Sequence, residues 1–185
     1  MVVGTLAIGQ TLIILTAGID LSCGTAMALG SIVMTKLAVD SNVPPLIAIV
    51  LGVATCMIIG FVNGGLVVGL SLPPFIVTLG TFSICSALTH IYSKDETISQ
   101  LPSVMTKLGE SFKLGDTAVT YGSLVTLALF AFIWFVLTQT TWGRLVYALG
   151  DNPEATRLMG IPVRKQLLMV YVCLLYTSPS PRDRS

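Results

Sequence analysis

Residues 43–93 read VPPLIAIVLGVATCMIIGFVNGGLVVGLSLPPFIVTLGTFSICSALTHIYS and contain no Asp, Glu, Lys or Arg. As a single α-helix, these 51 residues would be about 77 Å long, at a rise of about 1.5 Å per residue. The hydrocarbon core of a bilayer is only about 30 Å thick. The stretch must therefore cross a membrane more than once.

Two proline pairs in this stretch predict where the membrane spans begin. Proline is tolerated in the first turn of a helix, where its missing N–H is not needed. The pair Pro44–Pro45 therefore opens a predicted span that runs to about Leu70, and the pair Pro73–Pro74 opens the next span, which runs to about Tyr92.

The composition of the whole chain agrees with a lipid environment. Of the 185 residues, 54% are hydrophobic and 10% are charged, whereas a soluble domain carries roughly 25% charged residues. The net charge of +1 gives no field that would attract nucleic acid. The four cysteines are scattered without C-x-x-C spacing, so we interpret them as small packing residues and predict no metal site.

The apolar stretch 2–39 is too long for one perpendicular span, and Asp20 and Lys36 are its only charges. We predict a break at Gly18–Gly24, because its two glycines relax the backbone. Asp20 and Ser22 would satisfy the amides that the break frees.

The remaining chain alternates between polar and apolar segments. Residues 93–120 are predicted to form an aqueous loop with one short helix near 104–108, and residues 121–137 a further span. Residues 139–165 are again polar, and the apolar run 166–176 is too short to span. The fold prediction is an all-α polytopic membrane protein with about three complete spans and one interrupted helix.

Charge in the loops favours one orientation. Four Lys or Arg lie in residues 139–165 and three in residues 93–120. This difference places 139–165 in the cytoplasm and 93–120 outside. The turn at 71–72 is then inside. Residues 1–176 are interpreted as a partial transmembrane domain truncated at both ends, and 177–185, rich in Ser, Pro and Arg, as a non-native tail.

The most informative polar segment, 143–162, predicts a short helix at Glu154–Met159. Asp151 or Asn152 can cap its start, while Gly160 suits a left-handed end. Three apolar side chains share one face, flanked by two charges: Ala155, Leu158 and Met159, with Glu154 and Arg157. So short a helix needs a surface to lie against, which could be the rest of the protein, the lipid interface or a separate partner.

This segment resembles the cytoplasmic coupling loop of ATP-binding-cassette importer permeases, in which Glu-Ala-Ala is followed after three residues by Gly. Glu154-Ala155-Thr156 and Gly160 match that spacing, with Thr156 replacing the second Ala. The resemblance implies a coupling helix that docks on a separate ATPase. It assigns the coupling role to Glu154, Ala155, Arg157, Leu158, Met159 and Gly160.

Further motifs, in the family's order, resemble the branch that imports ribose and related monosaccharides. They are Gly18–Ser22, Asn63–Leu66, Pro73–Thr81 and Thr141–Arg144, and the resemblance covers residues 5 to about 175. It implies a permease subunit in the bacterial inner membrane, working with ATPase subunits, a periplasmic sugar-binding protein and a second permease copy. The sequence lacks the G-x-x-x-x-G-K-[ST] phosphate loop, so we predict no enzymatic activity of its own and no cofactor.

Five polar residues in the apolar segments are candidates for the translocation path: Asp20, Ser22, Asn63, Thr78 and Thr81. For Asp20 the alternative is a helix-breaking cap, and for Asn63 it is packing beside glycines, with Gly65 and Gly69 predicted to bring helices close. The two threonines could instead bond back to their own helix carbonyls.

Two rival functions remain open at this stage. An ion-coupled secondary transporter or channel would use a buried ionisable group at a helix break, and Asp20 fits that description. A membrane anchor without transport activity would explain the spans but not the capped helix at 154–159.

Overall fold

The computed structural model describes residues 2–41, 43–94, 111–114 and 117–176. Within these residues the chain forms eight α-helices and one two-stranded hairpin. The elements in chain order are α1 (Val2–Leu15), α2 (Cys23–Val39), α3 (Pro45–Gly69), α4 (Pro74–Ser93), β1 (Ser111–Leu114), β2 (Thr117–Thr120), α5 (Tyr121–Gln139), α6 (Thr141–Asp151), α7 (Pro153–Leu158) and α8 (Val163–Tyr176).

Three of the described helices are long and apolar enough to cross a membrane, and these are α3, α4 and α5. Their bounds confirm the predicted spans to within two residues, and α3 and α4 each have a proline of the predicted pairs in the first turn. Only about a fifth of each span is buried within the chain, with shares of 22%, 17% and 17%. Most of their apolar surface therefore faces outward.

The predicted break in the first apolar segment is confirmed, but it begins earlier than expected. α1 ends at Leu15, and the left-handed residue is Ala17, with φ of 56°, instead of a glycine. The Gly18 N–H donates to the Ile13 carbonyl (3.0 Å), which closes the helix end. Gly24 lies inside α2, so its predicted role in the break was wrong.

Small residues determine how α3 packs. Every fourth residue along one side of α3 is small and buried: Ala48, Gly52, Cys56, Gly60 and Gly64. α2 crosses this stripe at Gly30 and Gly52, where the two backbones come close together. A Cβ atom added to Gly30 would lie only 3.0 Å from the Gly52 carbonyl oxygen. Gly65 and Gly69 have no such neighbour within 4 Å, so the predicted close packing at these two glycines is wrong within the described chain.

Two features of the polar segments were not predicted. β1 and β2 form an antiparallel hairpin, with Ser111 opposite Thr120, within a segment expected to be a loop. The segment 139–165 is mostly helical, because α6 buries Val146 and Leu149. The predicted short helix at 104–108 and the tail at 177–185 lie outside the described residues.

The last of the described helices completes the core. The 14 described residues of α8 are too few to cross a bilayer, and they pack mainly against α3 and also against α1. Val170 and Tyr171 of α8 join a central cluster with Leu12 and Ile13 of α1. The break between α1 and α2 therefore lies at the centre of this bundle, facing α8.

Candidate functional site

The structure brings together all five residues predicted as candidates for the path. Asp20 and Ser22 lie in the break, Asn63 on α3, and Thr78 and Thr81 on α4. Thr81 is half-buried, whereas the other four are at most 2% exposed. We call these five side chains the polar cluster.

The carboxylate of Asp20 organises the break. Its Oδ1 atom accepts hydrogen bonds from the backbone N–H and the hydroxyl of Ser22, both at 2.7 Å. This confirms the prediction that Asp20 satisfies an amide freed by the break. The second oxygen, Oδ2, is buried and has no hydrogen-bond partner among the described residues.

Asn63 connects the break to α4. Its Nδ2 atom donates to the Ser22 hydroxyl oxygen (2.8 Å), and its Oδ1 accepts from the Thr81 hydroxyl (2.6 Å). The Ser22 proton is already donated to Asp20, so Ser22 can only accept from Asn63, which fixes the orientation of the amide. The donors therefore run in one direction, from Thr81 through Asn63 and Ser22 to the carboxylate.

The two threonines bond to their own helix and also to other elements. Thr78 Oγ1 lies 3.3 Å from the carbonyl oxygens of both Phe75, on its own helix, and Ile19, in the break. Thr81 has the Val77 carbonyl (3.0 Å) as an alternative acceptor to Asn63. Bonding to the helix's own carbonyls thus describes them only in part.

Four of the five side chains of the polar cluster are buried in this conformation. Two cavities among the described residues, of about 380 and 200 Å³, lie between α1 and α5 and share Ile8, Thr11 and Phe130. Their walls are mainly apolar, so they offer few hydrogen-bonding groups to a hydroxylated solute. The chemistry of the cluster is hydrogen bonding, which can hold the break shut or be exchanged for bonds to a polar solute.

The second candidate site is α7, whose ends follow the sequence prediction. The Oδ1 atom of Asn152 accepts from the N–H groups of Glu154 (3.1 Å) and Ala155 (3.0 Å), a side-chain cap. Gly160 has φ of 79°, and its N–H donates to the Arg157 carbonyl (3.0 Å). Of the two capping residues considered, Asn152 is the one used.

The two sides of α7 differ in exposure. Thr156 is buried, and its hydroxyl lies 2.9 Å from the carbonyl oxygens of both Ala148 on α6 and Asn152 at the start of α7, which ties α7 to α6. On the other side, Leu158 is 80% exposed and Met159 is 66% exposed. The rest of the described chain therefore covers the side of α7 that carries Thr156. It leaves the apolar face with Leu158 and Met159 uncovered.

Comparison with known families identifies the class of protein. Residues 1–174 match the family model described as the branched-chain amino acid transport system, permease component. The chain belongs to this permease family. The resemblance read from the motifs is thereby confirmed, and the match covers both the polar cluster and α7.

Relatives of this permease include several sugar import permeases. Over 175 residues it is 42% identical to the fructose import permease protein FrcC of Rhizobium meliloti, covering 92% of this chain and 49% of that protein. Over 170 residues it is 34% identical to the ribose import permease protein RbsC of Bacillus subtilis, covering 91% and 52%. The galactose/methyl galactoside import permease protein MglC of Escherichia coli is 30% identical over 181 residues, covering 90% and 54%.

The chain spans about half the length of the curated relatives it matches. No solved structure matches it. The relatives support the importer over the ion-coupled transporter that Asp20 alone had left open.

One buried polar residue of the permease was missed in the sequence. Tyr171 of α8 is 2% exposed, and its hydroxyl has no hydrogen-bond partner among the described residues. The sequence signal was weak, because a tyrosine in an apolar run of only 11 residues resembles an interfacial residue. Its burial depends on α8 crossing α3.

Proposed function

We propose that this permease forms part of the transmembrane subunit of an ATP-binding-cassette importer for a monosaccharide. The observation that carries the proposal is α7, a helix capped at both ends whose apolar face the described chain leaves uncovered. The family description names branched-chain amino acids, whereas the relatives are named for fructose, ribose and galactose. The identity of 42% to a fructose permease makes a sugar the better substrate class.

The proposed partners follow from this assignment. A separate ATPase subunit docks on α7, where Ala155, Leu158 and Met159 supply apolar contact. Glu154 and Arg157 lie 4.0 Å apart and are 81% and 74% exposed, so their ion pair is weak and both charges can contact the partner. A periplasmic sugar-binding protein and a second permease copy complete the importer in the bacterial inner membrane.

The packing around α7 suggests how movement of the ATPase reaches the polar cluster. Thr156 fixes α7 to α6, and a Cβ atom added to Gly150 of α6 would overlap the Leu15 carbonyl, where α1 ends. The break containing Asp20 begins at the next residue. Displacement of α7 would thus move the end of α1 and open the hydrogen bonds of the polar cluster to a passing sugar.

The orientation of the permease can be tested by labelling. In the full-length protein without native cysteines, we expect Lys94→Cys at the outer end of α4 to react with an impermeant maleimide on intact cells. Glu154→Cys should react only after the cells are opened, because the loop at 139–165 is proposed to be cytoplasmic. Labelling of Glu154→Cys but not of Lys94→Cys on intact cells would reverse the topology.

The docking role of α7 can be tested with one charged substitution. Leu158→Asp should leave folding intact, because that side chain is 80% exposed. In the full-length transporter it should abolish co-purification of the ATPase and reduce uptake of radiolabelled fructose and ribose by about 100-fold, the effect of about 3 kcal/mol for a lost hot spot.

Leu70→Asp is the matched control, because Leu70 is a leucine 65% exposed at the end of α3, on the side of the membrane proposed to be cytoplasmic. It should keep both ATPase association and uptake. Normal association and uptake in Leu158→Asp would contradict docking at α7. If the wild-type importer takes up neither fructose nor ribose, these two sugars are not its substrates.

A further inference from the structure

Tyr171 crosses from α3 to the break. A Cβ atom added to Gly64 would lie 3.2 Å from the Tyr171 Cβ, so the base of the side chain rests on α3 beside Asn63. A Cβ atom added to Gly18 would lie 3.5 Å from the Tyr171 hydroxyl oxygen, so the other end reaches the break, two residues before Asp20. The missing side chain of Gly64 leaves room for the base of Tyr171.

Two buried polar atoms of complementary chemistry lie near the break without a hydrogen-bond partner among the described residues. They are the Tyr171 hydroxyl and Oδ2 of Asp20. A phenol is a donor and an ionised carboxylate accepts only, so one hydrogen bond would satisfy both atoms.

We propose that the Tyr171 hydroxyl donates a hydrogen bond to Oδ2 of Asp20 in one state of the transport cycle, which makes Tyr171 a positioning residue for the polar cluster. The inference rests on the proposed importer function, which supplies the cycle. α8 begins at Val163, shortly after α7 ends, so a shift of α7 would displace the Tyr171 hydroxyl relative to Asp20. Through this hydroxyl, movement of α7 is then coupled to the hydrogen bonds of the polar cluster, which lead from Thr81 to Asp20.

The test removes only the hydroxyl. In the full-length importer with its ATPase subunits in proteoliposomes, we expect Tyr171→Phe to lower the uptake of radiolabelled fructose or ribose per ATP hydrolysed by about 10-fold, as for loss of a hydrogen bond to a charged group. Tyr147→Phe on α6, where the side chain is 48% exposed, is the control and should change that ratio by less than about 2-fold.

A double-mutant cycle separates a direct bond from a general loss of packing. Once Asp20→Asn is present, adding Tyr171→Phe should change the ratio by less than about 2-fold, because the partners are coupled. Infrared difference spectra recorded on ATP addition should also lose the Asp20 carboxylate band in Asp20→Asn and show it displaced in Tyr171→Phe.

Three outcomes decide the matter. Additive losses in the cycle, or an unchanged carboxylate band in Tyr171→Phe, would overturn the link between Tyr171 and Asp20 while leaving the importer function standing. Absence of ATP-driven uptake in the wild-type protein would overturn the importer function and, with it, this inference. Coupled losses together with a displaced band would support the link.

Discussion

Asn63→Asp is expected to destabilise the full-length permease by about 3 kcal/mol, because it places a second carboxylate in the buried polar cluster without a counter-charge. The substitution preserves the size of the side chain, so no cavity is formed. The new oxygen would face the Ser22 hydroxyl, 2.8 Å from the present Nδ2, whose proton is already donated to Asp20. Two buried carboxylates would then share one hydroxyl.

Reversible unfolding in mixed micelles measures the effect. The matched control is Asn152→Asp at the start of α7, where the side chain accepts from two backbone N–H groups and asparagine and aspartate cap about equally well. Its free energy of unfolding should change by less than about 0.5 kcal/mol. Equal stability of both variants would mean that Asn63 does not donate to Ser22.

The spans were predictable because their signals are local. A proline pair, an uncharged run and a length rule involve only neighbouring residues, and α3, α4 and α5 begin within one residue of the predicted positions. The same holds for α7, since Asn152 and Gly160 determine its ends through contacts within five residues. The break was also predicted, but its left-handed residue is Ala17 instead of a glycine. The Gly18 N–H donates to the Ile13 carbonyl, so the helix turns back one residue before Gly18.

The site was predictable only as separate residues. The sequence identifies three polar groups in apolar segments: Asp20, Asn63 and Thr81. It does not show that one chain of hydrogen bonds joins them. Their meeting depends on where α3 and α4 cross the break, which is determined by contacts distant in sequence. Tyr171 was missed for the same reason, since its burial depends on Gly64.

A similar limit explains the wrong prediction for the glycines of α3. The small-x-x-x-small spacing occurs in two registers, 48–64 and 65–69, and spacing alone cannot say which register faces a neighbour. The structure buries the first register against α2 and α8. The difference between the two registers can be measured directly.

Gly52→Leu is expected to prevent normal packing of α2 on α3. A Cβ atom at Gly52 would lie 2.7 Å from the Met34 Cβ and 2.8 Å from the Gly30 carbonyl oxygen, closer than such atoms can approach. Because one of these neighbours is backbone, the helices must separate and lose the contacts of Met34, Ala38 and Ala48. The loss should reach about 3 kcal/mol, at the upper end for overpacked cores.

Gly65→Leu provides the comparison on the same helix, since a Cβ atom there meets nothing within 4 Å. Leucine also favours helix over glycine, so this variant should change stability by less than about 1 kcal/mol in either direction. The measurement is the fraction of full-length protein that stays monodisperse in detergent after heating. If Gly65→Leu is as damaging as Gly52→Leu, the face of α3 that carries Gly65 is covered in the assembled permease. If both variants are tolerated, α2 does not cross α3 at Gly52.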